Sequence, residues 1–119
     1  MEDKLKSKLV GEQLSSVEFV QDYVQLHFDG RTITVFIWPE IKIKNSIFRF
    51  GEIEYRNMLC NLIGIELEDL FLQDKAFLVL QFKDEKGVIC INLSPTNPEI
   101  VTEIAIFNDE LDHSWAIFD

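Results

Sequence analysis

Apolar residues along this chain repeat with two different periods, and the switch between them divides it. From Ser16, Val17 and Phe19 alternate with polar neighbours. Val24, Leu26 and Phe28 alternate with Tyr23, Gln25 and His27, and Ile33, Val35 and Ile37 follow. A period of two marks half-buried strands, so this is a three-stranded meander. Asp29-Gly30, between the second and third runs, is the strongest hairpin signal, because a type I′ turn needs positive φ at both central residues. After Pro39, Ile41 and Ile43 alternate with Lys42 and Lys44, and the run resumes from Ile47 to Phe50. This predicts a fourth strand, bulged or broken at Asn45. The period then changes. Tyr55, Met58, Leu59, Leu62 and Ile63 fall at i, i+3, i+4, i+7 and i+8, one face of an α-helix over about 53–63, with Gly64 placed to stop it. Alternation then returns and predicts strands at 65–72, 77–82, 88–93 and 100–107, with Lys83–Gly87 as a charged hairpin loop and Trp115–Phe118 as a closing strand. Met1–Lys8, mostly charged, is expected to be a frayed lead-in.

The two strand regions echo each other. Leu9-Val10-Gly11-Glu12-Gln13-Leu14 is answered by Leu62-Ile63-Gly64-Ile65-Glu66-Leu67, and Val24, Leu26 and Phe28 by Leu78, Leu80 and Phe82. Pro39-Glu40-Ile41 is answered by Pro98-Glu99-Ile100, and Ile47-Phe48 by Ile106-Phe107. A fixed period that lengthens only at loops is the signature of an internal repeat. The expected architecture is mainly β: one domain, with repeats 9–50 and 62–107 joined by the helix. Its eight to nine antiparallel strands would form a sandwich or a barrel-like roll. The copies diverge at the end, where the second runs into Asn108-Asp109-Glu110-Leu111-Asp112-His113, an acidic loop or short helical turn.

Composition narrows the partners. The 119 residues carry 21 acidic and 11 basic side chains, a net charge of −10, and 47% are hydrophobic. That content belongs to a globular chain with a real core. The anionic balance argues against nucleic acid and anionic membrane, both of which call for clustered Lys and Arg. No Lys or Arg follows Lys86. The longest apolar run, Ala76–Leu80, is too short to span a bilayer. Met1–Val10 lacks the apolar core of a signal peptide, and the two cysteines, Cys60 and Cys90, read as reduced thiols, so the expected location is cytoplasmic.

No motif carries catalysis. Asp112-His113-Ser114 holds three triad residue types, but a triad is assembled from separate segments around a buried site. His27 lies on the polar face of its strand, and no His pair has metal-ligand spacing. Neither cysteine has a CxxC partner, and Gly11 and Gly64 make no phosphate loop. The expectation is therefore a protein that is not an enzyme, with no cofactor and no metal. Carboxylates beside aromatic residues suit docking on a basic protein, because charge steers the encounter and aromatics anchor it. The candidate partner-binding residues are Asp84, Glu85, Asp109, Glu110, Asp112, Trp115 and Trp38. Solvated faces for the acids and core positions for the tryptophans are the competing explanation.

Leu9-Val10-Gly11, the Phe28-Asp29-Gly30 hairpin, the run Gly51-Glu52-Ile53-Glu54-Tyr55-Arg56-Asn57 into Leu59 and Leu62-Ile63-Gly64, and Trp115 together resemble a group of small bacterial β-rich proteins. Several of these are immunity proteins of polymorphic or contact-dependent toxin systems. The resemblance implies a non-enzymatic cytosolic protein that binds and neutralises one cognate toxin domain, often a basic nuclease, with no shared catalytic residue. The alternatives are a small structural domain that self-associates as a homodimer through an exposed strand edge, and a small-ligand binder that uses the interface between the repeats.

Overall fold

The computed structural model describes residues 2–94 and 104–118, and they form a two-sheet β-sandwich with two short helices. In chain order the elements are α1 (Glu2–Leu9), β1 (Ser16–Phe19), β2 (Val24–His27), β3 (Arg31–Val35), β4 (Glu40–Ile43), β5 (Ser46–Phe48), α2 (Tyr55–Cys60), β6 (Leu67–Gln73), β7 (Phe77–Phe82), β8 (Val88–Asn92), β9 (Ala105–Asp109) and β10 (Ser114–Phe118), with a 3-10 turn at Lys83–Glu85. One sheet has the order β1-β2-β3-β9-β10 and the other β5-β4-β8-β7-β6, with every pairing antiparallel. Each sheet thus holds one meander plus a hairpin from the other half of the chain. The β9–β10 hairpin pairs with β3, and the β4–β5 hairpin pairs with β8.

Alternation sets which residues face inward. Val24, Leu26, Phe28, Ile33, Val35, Ala105, Phe107, Ala116 and Phe118 from the first sheet meet Ile41, Leu67, Leu70, Leu78, Leu80, Phe82, Ile89 and Ile91 from the second in one core. Leu67 and Leu70 both point inward although three positions apart. A bulge between Leu67 and Asp69 supplies the extra residue that resets the parity. Asp29 (φ 51°) and Gly30 (φ 95°) make the left-handed turn that their types predict.

Three expectations change. Met1–Lys8 is not a frayed lead-in: from Glu2 it is helical, and Leu5 and Leu9, four apart on one face, are fully buried. Glu2 and Asp3 in its first turn and Lys6 and Lys8 in its last complement the helix dipole. Two apolar residues in eight are too few to register as a helical period, yet enough to dock one. The predicted fourth strand is a hairpin, β4–β5, because Lys44 takes a positive φ of 57° and the chain reverses at Lys44-Asn45. The described strands therefore number ten rather than eight or nine. The helix over 53–63 is shorter than its periodicity, Tyr55–Cys60, with Tyr55, Leu59 and Leu62 buried. The echo at Pro98-Glu99-Ile100, and the first part of the strand predicted at 100–107, lie outside the described residues.

The segments before each meander pair with each other. Gln13 and Glu66 form an isolated antiparallel bridge. Around it Gly11 N–H donates to Leu67 O (2.9 Å) and Gly64 N–H to Leu14 O (2.7 Å), while Leu14 N–H donates to Ile65 O (3.1 Å) and Leu67 N–H to Glu12 O (2.9 Å). In each pair, adding 53 to the donor of the first bond and subtracting 53 from its acceptor gives the donor and acceptor of the second. The two glycines hold matching φ values of 95° and 89°.

Candidate partner-binding surface

The paired segments position the charges. Glu12 and Glu66 sit on the two paired stretches and, with Gly11, Gln13, Ser15 and Asp29, line an open polar cleft of about 430 Å³. Glu12 Oε1 forms an ion pair with Arg31 Nη1 at 3.5 Å, and Arg31 Nε in turn donates to Asp109 Oδ2 at 3.2 Å. On the other side of the cleft Lys83 Nζ pairs with Glu66 Oε2 at 2.7 Å. A string of alternating charges therefore runs from the β9–β10 hairpin, through Asp109, Arg31 and Glu12, across the cleft to Glu66 and Lys83 beside Asp84. Three acids separated in sequence, Glu12, Asp29 and Glu66, line this one cleft.

Within that string the acids differ in availability. Asp109 ends β9 on its inward-facing register and is 1% exposed. Its Oδ2 accepts from Lys8 Nζ at 2.7 Å as well as from Arg31, and its Oδ1 accepts from Leu111 N–H at 2.9 Å. The hydrogen bond from Lys8 holds its carboxyl below the usual carboxylate range, and the same bond raises the Lys8 ammonium. Asp112 also receives Lys8 Nζ, accepts from Ser114 N–H at 2.9 Å, and has its carboxyl pushed down, first by Lys8. These two carboxylates tie α1, β3 and the β9–β10 turn together. Glu110 is different. Its backbone N–H donates to Gly30 O at 2.9 Å, but its side chain projects into solvent. Leu111 lies over Gly30, where a Cβ would sit 3.1 Å from the leucine, so glycine serves both the turn and the contact.

Asp84 and Glu85 form the exposed tip of the β7–β8 connection, both at positive φ (57° and 55°). Glu85 also lines a shallow hollow with Lys42, Lys44 and Gln81, so the acidic region is bordered by the lysines of the β4–β5 hairpin.

Neither tryptophan joins this cluster. Trp115 is 63% exposed on the outer face of the first sheet, opposite Asn108 and beside Ile117. Trp38 stacks on Phe50 at 4.0 Å and 7°, and Phe50 meets the edge of Tyr55 at 5.8 Å. Trp38 and Phe50 line a separate groove of about 290 Å³ with Glu40, Arg49, Phe77 and Cys90. The Tyr55 hydroxyl donates to buried Pro39 O at 2.5 Å, and burial, then Glu40, drives its ionisation well above the ordinary range.

The catalytic look-alikes are used otherwise. Asp112 faces Lys8, and His113 sits in the turn at φ 62°. His27 places Nδ1 2.9 Å from Thr32 Oγ1 and Nε2 3.3 Å from Glu18 Oε1 on the outer face of its sheet. Cys60 is exposed, and burial followed by Glu40 pushes the Cys90 thiol up. Among the described residues no group of three or more His, Cys, Asp or Glu is placed to hold a metal, and no helix is long and apolar enough to cross a membrane.

Composition and periodicity did not single out Glu12, Asp29, Glu66, Lys8 or Arg31 as site residues. The echo of 9–14 in 62–67 was the available signal, since it placed Glu12 and Glu66 in paired contexts. No family model, curated protein or solved structure matches this chain.

Proposed function

We propose that this protein is a non-catalytic, cytoplasmic inhibitor of the immunity type, which neutralises a basic toxin domain, a nuclease by the resemblance of its sequence, through the acidic surface around the Gln13–Glu66 bridge. One observation carries this reading. Arg31 and Lys83, the cations of the string nearest the cleft, are already engaged by Glu12, Asp109 and Glu66, so among the described residues Asp29 on the cleft wall has no cationic partner, nor do Asp84 and Glu85, which follow Lys83, or Glu110, bonded at Gly30. Such a surface raises the encounter rate with a cationic partner, and rim charges act chiefly on that rate. Asp109 and Asp112 serve this surface indirectly, by fixing the turn that presents Glu110.

Duplication belongs to the same reading. On this reading the chain is two copies of one helix–meander–hairpin unit, α1 to β5 and α2 to β10, each lending its hairpin to the other's sheet, so that β9 matches β4 and the echo of Ile47-Phe48 in Ile106-Phe107 is set aside. The reciprocal bonds around Gln13 and Glu66 support this, since isologous contact is what a two-fold axis produces.

The test is co-expression with the product of the adjacent upstream gene. Rescue of growth, recovery of a complex, and an association rate that falls steeply with salt and in Asp29→Asn/Glu110→Gln/Glu85→Gln are expected. A toxic upstream product that is neither rescued nor bound would sink the reading.

A further inference from the structure

We infer that the outer edge of β10 is a pairing surface for a second copy of this chain, which adds antiparallel to join two five-stranded sheets into one of ten. The inference stands independently of the proposed function and rests on how the four sheet edges are treated. A bare edge presents unpaired N–H and C=O groups and is normally covered, shortened or charged.

Three of the four edges show such devices. At β6, α1 lies alongside, Leu72 N–H donates to Glu2 Oε1 at 2.6 Å, and Leu70 N–H donates to the Asp69 carboxylate at 2.8 Å. At β1, α2 approaches and Arg56 sits 5.7 Å from the centre of the Phe19 ring. β5 is only three residues long and is bounded by Lys44 and Arg49. β10 has none of these. It spans five residues, Ser-Trp-Ala-Ile-Phe, with no charge and no proline. Among the described residues, Lys8 reaches only the Ser114 hydroxyl at its start, and nothing bonds to its outer edge beyond that point. The fold also leaves unexplained why Trp115 projects 63% exposed on this strand.

The strand fits itself. An antiparallel pair centred on Ala116 places Trp115 of each copy opposite Ile117 of the other on the outer face. An aromatic residue facing a β-branched one is among the favourable cross-strand pairs. Part of the charge that would oppose self-pairing is offset locally, because Lys8 engages Asp109 and Asp112 beside the strand and Arg31 also engages Asp109. The negative charge that remains at the two ends of the strand, on Glu110 in the preceding turn and on Asp119 next in sequence after Phe118, is screened over about 10 Å at 0.1 M salt. Self-pairing should therefore strengthen as salt is raised, opposite to docking on a basic partner. So small an interface gives a weak, concentration-dependent dimer.

Sedimentation velocity of the full chain from low micromolar to millimolar concentration, at two salt concentrations, tests this. The expected result is a monomer–dimer equilibrium favoured by salt, with β10 amides more protected from hydrogen exchange at high concentration. Trp115→Lys should lower the dimer fraction at least tenfold while keeping the monomer's circular dichroism. Ile53→Lys, at a residue 93% exposed on another surface, should leave it unchanged. A chain monomeric throughout, a dimer that survives Trp115→Lys, or one that Ile53→Lys abolishes would each overturn the inference.

Discussion

Replacing Leu9 with alanine isolates what holds α1 in place. The helix has eight residues, far short of what persists alone in water. Its only buried side chains are Leu5 and Leu9, both fully enclosed. A buried Leu→Ala change removes transfer energy and leaves a cavity, typically about 2–5 kcal/mol. Here the loss is capped, since once α1 detaches no further contact remains to be lost. The Leu5→Ala/Leu9→Ala pair should therefore cost clearly less than the sum of the singles, a coupling that residues on one docked element share. Against a total stability of about 5–15 kcal/mol, even one substitution is severe. Urea denaturation of wild type, both singles and the double gives the energies. Hydrogen exchange at the Leu72 amide, which donates to Glu2 Oε1, reports detachment directly. A Leu9→Ala cost under about 1 kcal/mol, additive singles, or an unchanged Leu72 amide would show that α1 is not a docked element.

Tyr55→Phe leaves the buried Pro39 carbonyl without its donor and should cost about 1–2 kcal/mol in denaturant titration. In the folded protein the Tyr55 hydroxyl should ionise only well above the usual tyrosine range, read from tyrosinate absorbance against Tyr55→Phe. The depressed carboxyls of Asp109 and Asp112 set an acid limb. Their contribution is complete above the ordinary carboxylate pKa of about 4 and is lost as pH falls towards their lower native values. Denaturation midpoints from pH 7 to 2 should therefore show Asp112→Asn weaker than wild type at neutrality and converging with it in acid; parallel curves would refute the assignment. Cys60, exposed, should react with iodoacetamide well before Cys90, whose thiol is pushed up by burial, and peptide mass spectrometry checks the order.

Local pattern carried much of the fold into view. Strand parity, the Asp29-Gly30 turn and the helix face at Tyr55, Leu59 and Leu62 all follow from spacing of one to eight residues. What stayed hidden is long-range. Nothing in β9 announces that it pairs with β3, because the sheets are completed by exchanged hairpins some 70 residues away in sequence. The acidic run Asn108–His113 reads as a loop or short helical turn with Asp109 among its partner-binding candidates, whereas Asp109 ends β9 and is buried. Its parity was nevertheless available: two residues after Phe107 on the same strand face, it had to turn inward. Its partners, Lys8 and Arg31, could not be deduced from spacing.

The two halves differ most informatively at that carboxylate. Ile33 pairs with Phe107 in one sheet and Ile89 with Ile41 in the other, so on the proposed duplication Arg31 and Asp109 correspond to Gly87 and Ile43. Lys8 lies beside Leu9, whose counterpart is Leu62. At Gly87 an added Cβ would lie 2.9 Å from Leu62 and 3.4 Å from Ile43, so that corner is packed with apolar atoms. One framework therefore holds an ion network at one end and a hydrophobic contact at the other. Apolar packing can substitute for a buried ion network at little or no cost, whereas removing one partner strands the other's charge. Asp109→Ile alone should thus unfold at much lower urea than wild type. Lys8→Leu/Asp109→Ile should recover most of the loss, Arg31 retaining Glu12 as its partner. If the double variant is no more stable than the single, the charges at this corner are irreplaceable for the fold, and the equivalence of the two corners fails with them.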